Sequence, residues 1–231
     1  MTDATTGETT RASKYDPILV FGPTGGTGEE TIRRLVAREV SVTAFVRPTS
    51  VRTALEPLGV RFVEGEALVR KDVDRAFAAD AFAAVVCSLG GRRGEPRPDY
   101  DGVRHVVDAA RDTGVSRVVL VSSIGAGDAT REPPPSDAGF MRRVLYEKTR
   151  GEDYLIESGL RYTIVRPGGL RTEPPTGRGE LTEAYAMGMI HRADVADLVV
   201  RVLDDETTVG KVFHAIDPSL PMPGAGASSG S

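Results

Sequence analysis

Near its start, this chain passes from a short apolar run through a glycine-rich turn into a helical pattern. The run Ile18–Phe21 precedes Gly22-Pro23-Thr24-Gly25-Gly26-Thr27-Gly28, and residues 29–38 have helical spacing. A strand that enters a helix in this way leaves the first helical N–H groups unpaired at the turn, and glycines let an anion approach them. The segment therefore predicts a pyrophosphate-binding turn, with a tight glycine turn that binds nothing as the alternative.

Short apolar runs alternate with helical patterns along most of the chain, which predicts an α/β fold. The expected architecture is a Rossmann-type, doubly wound parallel sheet in a single domain, and ligands bind such sheets at the carboxyl ends of the strands. The predicted strands lie near residues 17–22, 41–46, 60–64, 82–89, 117–123, 161–166 and 211–216, and the predicted helices near 27–38, 50–58, 71–79, 99–113, 138–158 and 192–204.

The length of 231 residues suits one α/β domain, which we place at residues 17–218. Polar residues 1–16 and the Pro/Gly/Ser/Ala-rich residues 219–231 predict disordered extensions. Loop composition predicts two substrate loops, at residues 125–139 and 171–190. The first is expected to be a mobile lid, with a disordered insertion as the alternative.

Composition excludes several classes of partner. The net charge of −4 offers no basic surplus for a nucleic-acid backbone, and no apolar run approaches the roughly 20 residues that span a bilayer. With a polar N-terminus unlike a secretory signal, we expect a cytoplasmic protein. The single cysteine, Cys87, follows apolar residues and is predicted to be a buried core residue. No His, Cys, Asp or Glu residues have ligand-like spacing, so no metal is predicted.

The residue that follows the second predicted strand selects the cofactor. A carboxylate there accepts hydrogen bonds from the adenosine ribose, as NAD-binding proteins require, whereas a guanidinium forms a forked contact with a 2′-phosphate. The residue is Arg47, which predicts NADP(H), with Thr49 and Ser50 as further hydroxyl contacts. The alternative is a surface arginine at a strand end.

Four further segments extend the pattern to nearly the whole of residues 18–218. They are Ser88 to Gly91, Val119 to Gly125, Ser158 to Leu170 and Ile190 to Ala196. Taken in order with the glycine turn, they resemble the atypical short-chain dehydrogenases/reductases known as NAD(P)H-binding or NmrA-like proteins, relatives of biliverdin reductase B and of bacterial quinone reductases.

The resemblance implies which residues hold the cofactor. Ser88 to Gly90 would lie against ribose and pyrophosphate, and the turn from Pro167 to Leu170 would present its amides to the nicotinamide. Glu66 matches a position near the adenine and is treated as peripheral. The predicted cofactor-binding residues are Gly22, Thr24, Gly25, Gly26, Thr27, Gly28, Arg47, Ser88, Leu89, Gly90, Lys148, Pro167, Gly168, Gly169 and Leu170.

The chain departs from the wider superfamily at the Tyr-x-x-x-Lys pair, in which lysine lowers the pKa of a proton-donating tyrosine. Lys148 matches the lysine, but Val144 stands where the tyrosine would be. Tyr146 lies two residues before Lys148 and faces another side of the helix. We expect Lys148 to bind the nicotinamide ribose, with a solvated surface lysine as the alternative.

The candidate catalytic residues are Ser123, Lys148 and Ser122. Either serine could polarise a carbonyl or orient a water molecule, or could merely satisfy local backbone groups at the strand end. Tyr146 and Tyr185 are minor candidates as proton donors. Asp194 is expected to cap or anchor the last helix and His191 to cap it or to pack, while His105 and His214 are expected to be structural.

These expectations combine into an NADPH-dependent reductase that transfers hydride to a quinone, an aromatic ketone or a similar conjugated acceptor. Its setting could be bacterial secondary metabolism of the aromatic polyketide type, with an oxygenase partner or a homo-oligomer. The alternative from another class is a non-catalytic NADP(H) sensor that regulates a partner protein, which the missing tyrosine also fits. An epimerase or dehydratase with tightly held NAD is disfavoured by Arg47 and Val144.

Overall fold

The computed structural model describes residues 14–91, 93–115, 117–127 and 131–220. The strands are β1 (Ile18–Phe21), β2 (Val42–Val46), β3 (Arg61–Glu64), β4 (Ala84–Cys87), β5 (Arg117–Val121), β6 (Arg161–Pro167), β7 (Gly169–Arg171), β8 (Glu180–Thr182), β9 (Met189–His191) and β10 (Lys211–Ile216). The α-helices are α1 (Gly26–Ala37), α2 (Arg70–Phe77), α3 (Asp101–Thr113), α4 (Phe140–Glu157) and α5 (Arg192–Asp204).

Eight strands form one sheet in the order β3-β2-β1-β4-β5-β6-β10-β8. Every neighbouring pair is parallel except β10 with β8, which is antiparallel. Strand order runs outward from β1 through β2 to β3, and then outward on the other side from β4. This reversal confirms the predicted doubly wound sheet and places a crevice at the carboxyl ends of β1 and β4.

The core has two layers, one on each face of the sheet. Strands β1, β2, β4 and β5 are buried along their whole length, as expected when helices cover both faces. One apolar cluster joins the sheet to α1 and α5 through residues such as Leu35 and Val199. The other joins it to α2 and α3 through residues such as Phe77 and Val106.

Two local predictions were wrong. Residues 50–58 do not form a helix, because only Glu56–Leu58 adopt a 3-10 turn, which contains Pro57 and ends at the left-handed Gly59. The predicted loop at residues 171–190 contains the strand β8, and β9 begins at its end. Strands of three residues are too short to give a periodic signal in the sequence.

The predicted extensions lie mostly outside the described residues, which exclude 1–13 and 221–231, so their disorder stays a prediction. Residues 14–16 contact the domain: Tyr15 donates a hydrogen bond to the Glu206 carboxylate, and Asp16 accepts one from the Ser41 amide. No helix in the described part of the chain combines the length and apolar character needed to cross a membrane.

Candidate functional site

A cavity of about 250 Å³ opens at the carboxyl ends of β1, β2 and β4, where the strand order reverses. We call this part of the molecule the glycine-turn half of the site. Glu66, treated as peripheral in the sequence, also lines it, and so does Glu95, which sequence reasoning missed. The predicted cofactor residues that line the cavity are Gly22, Thr24, Gly25, Arg47, Ser88, Leu89 and Gly90.

The glycine turn brings backbone atoms so close together that side chains are excluded. Gly22 has a φ of +74°, and a Cβ atom on it would lie 2.3 Å from the Ser88 carbonyl oxygen. A Cβ atom on Gly28 would lie 2.1 Å from the Gly22 carbonyl oxygen. Gly25 is the N-cap of α1 and has no side chain to cap it. The positive end of the helix therefore faces the turn without a capping side chain from the N-cap residue, which fits a bound diphosphate.

Gly26 is a glycine for a different reason. A Cβ atom there would lie 2.5 Å from Cδ and 3.0 Å from Nε of Arg192, the first residue of α5. The side chain of Arg192 therefore crosses the first residue of α1. In the described residues, Arg192 has no hydrogen-bond or ion-pair partner. This contact links α1 to α5 beside the predicted pyrophosphate site.

Arg47 lines the cavity, but in this structure its guanidinium pairs with a carboxylate. Its Nη1 atom lies 2.9 Å from Glu95 Oε2, and both side chains are 42% exposed. Ser50 also lines the cavity, and its amide donates to the Arg47 carbonyl at 2.9 Å. Thr49, the other predicted hydroxyl contact, is exposed and is not among the lining residues.

Lys148 is held by a buried carboxylate that the sequence did not reveal. Its Nζ lies 2.9 Å from Asp99 Oδ1 and 3.4 Å from the Leu89 carbonyl oxygen. The other Asp99 oxygen lies 2.7 Å from Arg97 Nε, and the Asp99 side chain is completely buried. These contacts are ion pairs rather than aligned hydrogen bonds. The alternative of a solvated surface lysine is therefore wrong, while the ribose contact stays a prediction.

The prediction that Cys87 is a buried core residue is confirmed. Cys87 is 1% exposed at the end of β4. Burial raises the pKa of its thiol to about 11, although a hydrogen bond with Leu89 and the charge of Lys148 act in the opposite direction. A thiol in this state has no nucleophilic role at neutral pH.

The two candidate serines follow β5 and differ in their partners. The Ser122 amide donates to the Val165 carbonyl at 2.8 Å, but its buried hydroxyl oxygen has no hydrogen-bond partner in the described residues. The Ser123 hydroxyl donates to the Ile124 carbonyl at 3.2 Å. Of the two hydroxyls, that of Ser122 is therefore the one that lacks a partner among the described residues. We call the region of Ser122, Ser123, Lys148 and residues 167–170 the β5–β6 half of the site.

The turn after β6 does not present its glycine amides to a ligand, contrary to the sequence expectation. The Gly168 amide donates to the Ala215 carbonyl and the Gly169 amide to the Gly188 carbonyl, both at 2.9 Å. A Cβ atom on Gly168 would lie 2.2 Å from that Gly188 oxygen, so this glycine allows strands to approach. Leu170, by contrast, remains exposed.

Side chains from distant segments meet beneath the second predicted substrate loop. Ligand atoms of His191, Asp194 and Asp217 lie within 4.8 Å of one another, although their sequence spacing gave no sign of a group. The Asp194 carboxylate accepts hydrogen bonds from the Thr176 and Gly177 amides at 3.0 and 2.8 Å. Asp194 therefore anchors the loop to α5. His191 is the N-cap residue of α5 but makes no capping hydrogen bond.

The remaining predictions concern histidines and the first loop. His105 lies in α3 with its Nδ1 2.9 Å from the Ala67 carbonyl oxygen, which confirms a structural role.

The first loop is fixed to α4 at its beginning, where the Gly127 amide donates to the Thr149 hydroxyl at 2.9 Å. Further along, Arg131 forms an ion pair with Asp153 at 2.8 Å.

Comparison with known proteins agrees with this geometry. A family model described as NAD(P)H-binding matches residues 22–206. The chain is similar in structure to ChuY, an anaerobilin reductase from Escherichia coli O157:H7, with a TM-score of 0.78 and 31% identity over 90% of this chain and 100% of that one.

Two curated relatives have different activities in their names. An uncharacterized sugar epimerase of Bacillus subtilis, YhfK, is 29% identical over 89% of this chain and 96% of its own length. Sanguinarine reductase of Eschscholzia californica is 25% identical over 87% of this chain and 89% of its own. The family match covers most of the chain, so the protein belongs to the NAD(P)H-binding family.

Proposed function

We propose that this NAD(P)H-binding protein is an NADPH-dependent reductase of quinones, aromatic ketones or similar conjugated acceptors. The observation that carries the proposal is the buried hydroxyl of Ser122 at the carboxyl end of β5, which has no hydrogen-bond partner among the residues that the structure describes. A buried polar atom without a partner is costly, so its retention favours a ligand that completes its hydrogen bonds. The dinucleotide, when bound, supplies the hydride.

The residues of the glycine-turn half fit a dinucleotide. The uncapped start of α1 and the tight approach of Gly22 to Ser88 leave a cradle made of backbone. Such a cradle binds a diphosphate through amide groups and the helix dipole. Leu89 and Gly90 line the wall of the same cavity.

Arg47 supports NADP(H) over NAD(H), even though it is paired with Glu95. Both partners are 42% exposed, so their ion pair contributes at most about 1 kcal/mol. A 2′-phosphate offers more negative charge and two oxygens for a forked contact, which together outweigh one tethered carboxylate. We expect the phosphate to replace Glu95 as the partner of Arg47.

The β5–β6 half supports an acceptor with an extended apolar ring system. Leu170, Tyr185 and Met187 are exposed on or beside the second loop, and Met187 precedes the Gly188 that bonds to Gly169. Reduction places negative charge on the acceptor oxygen, and the Ser122 hydroxyl can donate a hydrogen bond to it. In a conjugated acceptor this charge is delocalised, so a strong acid such as the missing tyrosine is not required.

The wider expectations remain part of the proposal. A cytoplasmic location, a homo-oligomer and an oxygenase partner in bacterial secondary metabolism are compatible with a small reductase that supplies a reduced aromatic substrate. A non-catalytic NADP(H) sensor would share the glycine-turn half. It would not require the hydroxyl of Ser122 or the exposed apolar residues on and beside the second loop, which is why we favour the enzyme.

The test measures oxidation of NADPH, and separately of NADH, by absorbance while quinones, flavins and aromatic ketones are added to the purified protein. We expect oxidation that depends on the acceptor and is faster with NADPH. Arg47→Ala should raise the Kd of NADP⁺ by about 10- to 100-fold and change that of NAD⁺ little, since one charge-assisted contact is lost. Arg61→Ala, an exposed strand arginine paired with Asp80, is the matched control.

Two outcomes would contradict this proposal. Tight binding of NADPH without oxidation by any acceptor in the panel would favour the sensor. If Arg47→Ala loses affinity for NADP⁺ and NAD⁺ equally, Arg47 does not bind the 2′-phosphate. The proposed preference for NADPH would then have no support.

A further inference from the structure

Arg192 stands apart from the other arginines around the site. Arg47, Arg97 and Arg166 each pair with a carboxylate, those of Glu95, Asp99 and Glu152. Arg192 has no such partner in the parts of the chain that the structure describes. It is also only partly exposed, so its charge is not fully solvated.

The position of this side chain is fixed by a specific close contact. The missing Cβ of Gly26 provides the space that Arg192 occupies, because a Cβ would lie 2.5 Å from Arg192 Cδ and 3.0 Å from Nε. An alanine at position 26 would have to displace the arginine. The aliphatic stem thus packs across the first residue of α1, with its cationic group beyond.

This arrangement is electrostatically unfavourable on its own. The start of α1 carries a partial positive charge, and Gly25 provides no side chain to cap it. A guanidinium without a carboxylate beside that helix end places two positive groups together. A ligand with two negative charges at the turn would compensate both of them.

We propose that Arg192 binds the diphosphate of the dinucleotide from the α5 side, as a second cationic contact distinct from Arg47. This assignment rests on the dinucleotide-binding part of the proposed function and names a residue for it. The helix dipole and the glycine amides hold the diphosphate from α1, and the arginine adds a charge-assisted contact from a helix about 165 positions later in the chain. Gly26 is required because it admits this side chain.

Direct binding measurements test the proposal, with no need for turnover. Isothermal titration calorimetry of the full chain would compare NADP⁺, NAD⁺ and adenosine 2′-monophosphate, which lacks the diphosphate. Arg192→Gln should raise the Kd of NADP⁺ and NAD⁺ by the same factor, about 10- to 100-fold, and leave adenosine 2′-monophosphate unchanged. Arg47→Ala should do the reverse, weakening only the two ligands that carry a 2′-phosphate.

Three further variants complete the design. Arg192→Lys keeps the positive charge but lacks the forked geometry of a guanidinium, so it should bind both dinucleotides several-fold more weakly. This variant tests the proposal if Arg192→Gln does not fold. Gly26→Ala should reproduce the uniform loss by displacing Arg192. Arg201→Gln, at an exposed position in the last turn of the same helix, is the matched control and should bind all three ligands normally.

Several results would overturn the proposal. Wild-type affinity of Arg192→Gln for both dinucleotides would do so, and so would an equal loss for adenosine 2′-monophosphate. Unchanged dinucleotide affinity with a raised KM for an acceptor would assign Arg192 to the substrate instead. If the wild-type protein binds dinucleotides but no acceptor in the panel supports oxidation of NADPH, the proposed reductase activity is wrong. The assignment of Arg192 to the diphosphate is unaffected by that result.

Discussion

The two halves of the site are built by different physical means. The glycine-turn half is formed mainly by backbone atoms. Gly22 and Gly28 let main-chain atoms approach one another, and the start of α1 supplies a partial positive charge. In the β5–β6 half, side chains brought together from separate elements hold the geometry, as in the ion pair of Lys148 with Asp99.

Because they are built differently, the two halves tolerate different substitutions. A backbone cradle tolerates many changes of side chain as long as its glycines remain, whereas a buried ion pair fails when either partner changes. Binding of the dinucleotide can therefore persist while the chemistry diverges at the ends of β5 and β6. The tyrosine position illustrates this, since Val144 there is buried and offers no proton.

The largest effect should follow from removing the buried charge in the β5–β6 half. Asp99→Asn leaves Lys148 and Arg97 without their carboxylate, and breaking such a buried pair costs about 3 to 5 kcal/mol. Asp80→Asn, which removes an exposed partner of Arg61, should cost less than about 1 kcal/mol. Urea unfolding measures both. Equal costs would mean that side-chain pairing does not hold this half.

A smaller but still large effect is expected in the glycine-turn half. Gly28→Ala forces a Cβ atom against the Gly22 carbonyl oxygen, a backbone contact that no rotamer relieves. Overpacking of this kind costs up to about 3 kcal/mol, or roughly 100-fold in the affinity of both dinucleotides. Gly139→Ala, where a Cβ meets nothing within 4 Å, serves as control in the same titration. Normal binding by Gly28→Ala would show that the cradle is not made by backbone contact.

Within the β5–β6 half, the two serines are expected to contribute unequally to turnover. Ser122→Ala removes the unpartnered hydroxyl and should lower kcat with a quinone by on the order of tenfold, equivalent to one lost hydrogen bond. Ser123→Ala should have a smaller effect, because its hydroxyl already donates to the Ile124 carbonyl. Unchanged NADP⁺ affinity would show that the cradle is intact. A larger loss of kcat with Ser123→Ala would mean that Ser123, rather than Ser122, donates the hydrogen bond to the acceptor.

The smallest effect is expected for Glu95, whose carboxylate would compete with the 2′-phosphate for Arg47. Glu95→Gln frees Arg47 from an exposed ion pair and should tighten NADP⁺ by no more than about fivefold, without any change for NAD⁺. Glu56→Gln, an acidic residue outside the cavity, is the control. Weaker binding of NADP⁺ in Glu95→Gln would mean that Glu95 helps to hold the cofactor.

Most of the fold could be predicted because its signals are local. The passage from Ile18–Phe21 through the glycine turn to α1 is continuous in sequence, and apolar runs such as Val118 to Val121 in β5 are typical of strands buried on both faces. The errors fell where the local signal was weak, in the 3-10 turn that contains Pro57 and in three-residue strands such as β8.

The doubly wound fold, the glycine turn between β1 and α1, the arginine after β2 and the burial of Cys87 could all be predicted from the amino-acid sequence. Three contacts became visible only in the folded molecule: the ion pair of Asp99 with Lys148, the ion pair of Glu95 with Arg47, and the packing of Arg192 against Gly26. The physical reason is the separation along the chain between the residues that interact. Periodicity and turn chemistry act over a few neighbouring residues, whereas ion pairs and close packing join residues that are brought together only when the sheet and its helices are complete.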